Sequence, residues 1–164
     1  MNIHPIFVHF PIALFTFYAL FEIIRLPVLT RQVWYFNVKA VLVIAGSAMS
    51  FITIITGKMS EKFMEGHPAL EYHEFFAWTT AGVFLAIALS YLFAWVGRER
   101  QVQSKFWQMW VGCGERIVGS RWIIALAILG FVCVTITGGI GGAMVFGPDA
   151  DPLFKPIYNL LIGK

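Results

Sequence analysis

Apolar residues fall in four long blocks with few polar interruptions, at 3–26, 38–57, 74–96 and 122–146. An α-helix rises 1.5 Å per residue, so about 20 residues cross a hydrocarbon layer of roughly 30 Å. Each block is about that long. The second carries no charge after Lys39, the third none after Glu74, and the fourth none at all. Backbone groups in lipid must pair within the segment, and the polar residue at every second position that a barrel strand needs is missing. The pattern predicts an all-α integral membrane four-helix bundle, with residues 1–164 forming one membrane domain.

The breaks between blocks carry their own signals. Leu26-Pro27 closes the first helix, because proline cannot continue the ladder and disfavours a helical neighbour. Gly57 is expected to close the second helix, and Gly97, before Arg98, the third. In the long connection after the third block, Phe106, Trp107, Met109 and Trp110 alternate with Lys105 and Gln108. A short interfacial helix over about 103–111, limited by Gly112 and Gly114, fits this segment. An irregular loop dipping its aromatics into the headgroups fits as well.

The two halves echo one another. His4-Pro5 opens the first helix and His67-Pro68 the third, with proline suited to a first helical position. A second histidine follows each, at His9 and His73. The return helices end in Thr53-Ile-Ile-Thr-Gly57 and Thr135-Ile-Thr-Gly-Gly139. The bundle is therefore expected to consist of two similar helical hairpins, related by an axis along the membrane normal. Coincidence is the competing reading of so short a match.

Only 13% of residues are charged, against about a quarter in soluble domains. The formal charge of +3 is spread over short loops, with no basic arm for nucleic acid. Arg25, Arg31, Lys39, Arg98, Arg100, Lys105, Arg116 and Arg121 lie at one face, against Lys58, Lys62, Lys155 and Lys164 at the other. This bias places the first group in the cytoplasm, and both termini outside. The first block has no basic stretch before it and no small-residue cleavage site after it, so it reads as a retained helix. Cys113 and Cys133 have no metal-ligand spacing. Glu22, near the cytoplasmic end of the first helix, reads as an interfacial carboxylate screened by Arg25.

All four histidines then gather at the outer face. Ionisable groups within a span are costly unless neutral, paired or functional. Two imidazoles at matched depth, His9 and His73, suit axial ligation of haem iron, with His4 and His67 at the helix mouths for a second haem or a quinol headgroup. Gly138 and Gly139, with Gly57, Gly141 and Gly142, would make room for a macrocycle. Phe10, Phe75, Phe76 and Trp78 would line its faces, and Lys58 and Lys62 would meet its propionates. Three alternatives stand beside this one: a small-metal site using His67, Glu71 and Glu74, a proton relay through Glu65, Glu71, Glu74 and His73, and purely structural histidines with glycines for close helix packing.

The segments His4-Pro-Ile-Phe-Val-His-Phe-Pro-Ile-Ala-Leu14, His73-Glu74 and Thr137-Gly-Gly-Ile-Gly-Gly-Ala-Met-Val-Phe146 resemble a bacterial membrane-protein family catalogued as a domain of unknown function (number 2231). The resemblance covers nearly the whole chain and implies a four-span bundle in the bacterial inner (plasma) membrane. Some members of that family are joined to Rieske-type iron–sulfur domains, which implies respiratory electron transfer with a quinone or haem b (one or two groups). Carried over by position, its motif histidines are His4, His9 and His73. No Rieske cysteine-histidine segment is present here, so a Rieske-type or cytochrome c partner would be a separate chain. A homo-dimer is a further expectation, and a non-catalytic packing subunit of a larger membrane complex is the alternative function.

Overall fold

The computed structural model describes residues 3–101, 103–149 and 151–163. Four long helices, α1 (His4–Ile23), α3 (Val33–Ser60), α4 (Leu70–Glu99) and α6 (Trp122–Phe146), are long and apolar enough to cross a membrane. Among the described residues there are three shorter α-helices, α2 (Pro27–Thr30), α5 (Lys105–Gly119) and α7 (Lys155–Leu161), and one 3-10 turn, Glu61–Phe63. No strand occurs among the described residues. The long helices form a ring in which α1 packs on α3, α3 on α4, α4 on α6 and α6 on α1. Large apolar side chains cover the outside, among them Phe17, Val41, Ile55, Leu89 and Val132. This surface matches lipid, and the four spans form a helical bundle.

Several helix bounds differ from those the sequence suggests, for physical reasons. The first span ends at Ile23, short of residue 26, because Pro27 forces Leu26 into an extended conformation. The Tyr35 hydroxyl reaches the carbonyls of Phe21 and Ile24 at this end. The second span begins at Val33 and runs through Gly57 to Ser60, and the third runs from Leu70 through Gly97 to Glu99. These glycines are close-approach positions, not terminators. A Cβ on Gly57 would lie 3.1 Å from the His4 ring, and one on Gly97 would strike Val111.

The segment expected as a helix over 103–111 is longer and differently placed. Helix α5 continues through Gly112 and Gly114 to Gly119 and runs back alongside α4. Gly114 lies against the α4 backbone, where a Cβ would sit 2.6 Å from the Ser90 carbonyl. Close packing offsets the helix penalty of glycine here. Phe93 of α4 stacks on Trp110, with ring centroids 5.5 Å apart.

Inside α1, Pro11 has no N–H to offer the Phe7 carbonyl four residues back. The Thr53 hydroxyl, from α3, lies 3.2 Å from that carbonyl and can donate to it. The same hydroxyl lies 2.9 Å from the Met49 carbonyl of its own helix, so the Phe7 carbonyl shares its one hydrogen in a medium that offers no other donor. Pro68 lies in the turn before α4, not at its first position.

The centre of the bundle is a stack of Phe15 on Phe84, with centroids 3.8 Å apart and planes 5° from parallel. Each ring lies over a glycine of the return helix in its own hairpin. A Cβ would come within 2.7 Å of Phe15 at Gly46, and within 2.8 Å of Phe84 at Gly130. The equivalence extends along both hairpins. Phe15 and Phe84 are 69 residues apart, as are His4 and His73, while Gly46 and Gly130 are 84 apart, as are Thr53 and Thr137 and Gly57 and Gly141. The halves repeat as expected, but in another register: His4 corresponds to His73 rather than to His67, and Thr53 to Thr137 rather than to Thr135.

Gly46→Ala and Gly130→Ala should each destabilise the detergent-solubilised protein by about 1–3 kcal/mol, the usual cost of overpacking. Gly82→Ala, where a Cβ would meet open space, should not. Reversible unfolding in mixed micelles measures all three.

Candidate functional site

At the end of the bundle that carries the histidines, the four long helices line a partly open cavity of about 430 Å³. Pockets for small molecules commonly measure about 300–1,000 Å³ and have mostly apolar walls with a few polar groups. Val8 and Ile12 from α1, Ile54 from α3, Ala77 from α4 and Val134 from α6 supply apolar wall, and Phe15 lies at the inner end. Ser50, Thr53, Thr80 and Thr137 also line it. Thr80 is only 5% exposed, and its hydroxyl has no hydrogen-bond partner. Such a group in an apolar wall is costly unless something meets it.

Three of the four histidines line this cavity. His73 places Nδ1 3.1 Å from the Thr137 carbonyl. A carbonyl only accepts, so Nδ1 carries the hydrogen and, in the neutral ring, Nε2 carries the lone pair. His4 places Nδ1 3.2 Å from the Thr56 hydroxyl. Thr56 lies 3.0 Å from the Thr53 carbonyl and donates to it, so it accepts from His4. His9 is exposed, and its Nδ1 donates to the Pro5 carbonyl of its own helix at 2.7 Å. His67 stands apart from the cavity. Its Nδ1 accepts the Ala69 N–H at 3.2 Å, so its ring helps shape the turn before α4.

The other expected residues divide in the same way. Gly138 lines the cavity, but Gly139 faces outward, where a Cβ would strike Phe154. Gly139 serves the docking of the chain end, where Phe154 and Tyr158 pack with Ala69, Ile140 and Ala143. Lys58 lies at the rim, 2.7 Å from Glu74 and 3.2 Å from Glu61, and joins α3 to α4. Lys62 lies outside the cavity, over the Phe63 ring. Of the four aromatics expected as walls, only Trp78 lines it; Phe10 and Phe75 are exposed and Phe76 packs in the outer cluster. Among the described residues no group of three or more His, Cys, Asp or Glu converges as a metal cluster would.

The half of the bundle away from the histidines holds a second polar site. Glu22 is fully buried, not snorkelling. Its carboxylate accepts from Arg25, from Lys39 Nζ at 2.9 Å, from Tyr91 at 2.6 Å and from Tyr18 at 3.3 Å. Helices α1, α3 and α4 are tied at one point. Lys39 also lies 4.9 Å from the Tyr35 ring centroid, and Arg98 lies 3.6 Å over Phe36. The Phe15–Phe84 stack stands between this network and the cavity. The spacing Glu22–Arg25 is visible in the sequence; the approach of Lys39 and Tyr91 arises only from helix packing.

A family model described as "Predicted membrane protein (DUF2231)" matches residues 1–149. The chain belongs to this family and is a multi-pass membrane protein. No curated protein and no solved structure matches it.

Glu22→Ala leaves Lys39 buried without its counter-charge and should cost about 3–5 kcal/mol. Combining Glu22→Gln with Lys39→Met should recover much of that loss. Unfolding of the single and double variants in mixed micelles checks both.

Proposed function

We propose that the outer cavity holds haem b, and that the protein is a membrane b-type cytochrome-like electron-transfer subunit working beside a quinol-oxidising or quinone-reducing step. The observation that carries this reading is the His73 ring, which lines a largely apolar cavity while its Nδ1–H is held by the Thr137 carbonyl. Histidines that ligate iron through Nε2 are typically oriented by such a bond. A haem needs only one or two protein ligands, so the lack of a three-residue metal cluster among the described residues does not weigh against it. Bound there, the group would supply one-electron chemistry, with its potential set by ligand and burial. The chain's own part is to fix the imidazoles and to meet the flat group with Phe15 and the apolar wall, while Lys58 at the rim, held by Glu61 and Glu74, ties α3 to α4.

The excess of basic residues at the opposite face supports placing this end outside the cytoplasm of a bacterial inner membrane, with both termini there. A soluble Rieske-type or cytochrome c partner would then exchange electrons at the cavity end. A second reading, a packing subunit of a larger complex, draws on the exposed Phe106, Trp107, Met109 and Trp110 of α5. Native mass measurement in gentle detergent separates them, because a packing subunit requires a stable heteromeric assembly.

Protein expressed with ample haem should show a Soret band and a b-type pyridine haemochrome. His73→Ala should lose most of the haem or change its spectrum. Folded wild-type protein with no haem above background would overturn the reading.

A further inference from the structure

We propose that His4 and His73 form a single ligating pair on the pseudo-two-fold axis and hold one haem between them, with His9 taking no part. This rests on the haem reading above. The two imidazoles are seated alike. Each ring lies over a glycine of its own hairpin's return helix, His4 over Gly57 and His73 over Gly141. In both cases a Cβ on the glycine would sit 3.1 Å from Cε1 and 3.5 Å from Nδ1. Each ring is also tied to the threonine four residues before that glycine, His73 directly at the Thr137 carbonyl and His4 through the Thr56 hydroxyl, which donates to the Thr53 carbonyl.

Helix periodicity explains the match. His4 lies 11 residues before Phe15, and His73 lies 11 before Phe84. Eleven residues make just over three whole turns, so each histidine shares a face with its phenylalanine. The stacked phenylalanines therefore turn both imidazoles toward the same axis. Both rings line the same cavity. Two imidazoles related by such an axis would hold one planar group between them.

His9 breaks this symmetry. Its counterpart by the same offset is Trp78, it stands exposed, and its ring is tethered to the Pro5 carbonyl of its own helix. The Thr80 hydroxyl is an independent sign that the cavity is built around a ligand. It is buried, unpartnered and part of the cavity wall, four residues from the phenylalanine stack.

The test uses full-length protein loaded with ferric haem, with coordination read by visible absorption and electron paramagnetic resonance. Wild type should be six-coordinate and low-spin with one haem per chain. His4→Ala and His73→Ala should each become high-spin or lose haem, and added imidazole should restore the low-spin form. His9→Ala should match wild type. His4→Met and His73→Met keep a ligand, guard against misfolding, and should each raise the midpoint potential while staying low-spin. If His9→Ala turns high-spin while His4→Ala stays low-spin, the pairing is wrong and the haem reading survives. If folded wild type takes up no haem, both fall.

Discussion

The contact of Phe15 with Phe84 sets the geometry of this bundle. Helices in lipid gain little from burying apolar surface, because the surroundings are equally apolar; close packing has to hold them. Two flat rings at 3.8 Å, each lying over a glycine, bring α1 and α4 together across the diagonal of the ring of helices. The stack also fixes the rotation of both helices about their own axes. Residues three turns outward or two turns inward on the same face then have no choice of direction. His4 and His73 face the centre at one end of the bundle, and Glu22 and Tyr91 face it at the other.

The same repeat is conservative at one end and divergent at the other. Outward from the stack, histidine, threonine and glycine occupy matching places in both hairpins. Inward, Glu22 corresponds to Tyr91 and Lys39 to Ile123. The equivalent positions hold one acid, one base and one phenol, and these bond to each other. Ring symmetry is thus kept where a ligand on the axis would use it, and given up where the chain fastens itself. A fully buried carboxylate with four side-chain donors locks α1, α3 and α4, and leaves the outer end free to be hollow.

Much of this architecture is legible in the amino-acid sequence. Hydrophobic block lengths give the four spans, and recurring histidine, threonine and glycine give the two hairpins. The register of the repeat is not legible from His-Pro pairs, because Pro68 belongs to a turn and His67 caps it. Aligning Phe15 with Phe84 and Gly46 with Gly130 yields it, since both pairs lie deep in the spans where packing constrains them. Glycine also misleads as a helix end: at Gly57, Gly97 and Gly114 it marks where another helix or ring comes close. The burial of Glu22 depends on α3 and α4 arriving beside α1, which no local spacing encodes.

Carbon–carbon correlation by solid-state nuclear magnetic resonance addresses the aromatic contact directly, in bilayers and without any cofactor. With ring-labelled phenylalanine, a short-range correlation between the Phe15 and Phe84 rings is expected, assigned by its loss in Phe15→Leu and in Phe84→Leu. Well-resolved signals from both rings with no transfer between them would contradict the packing, and with it the shared axis on which the histidines are placed.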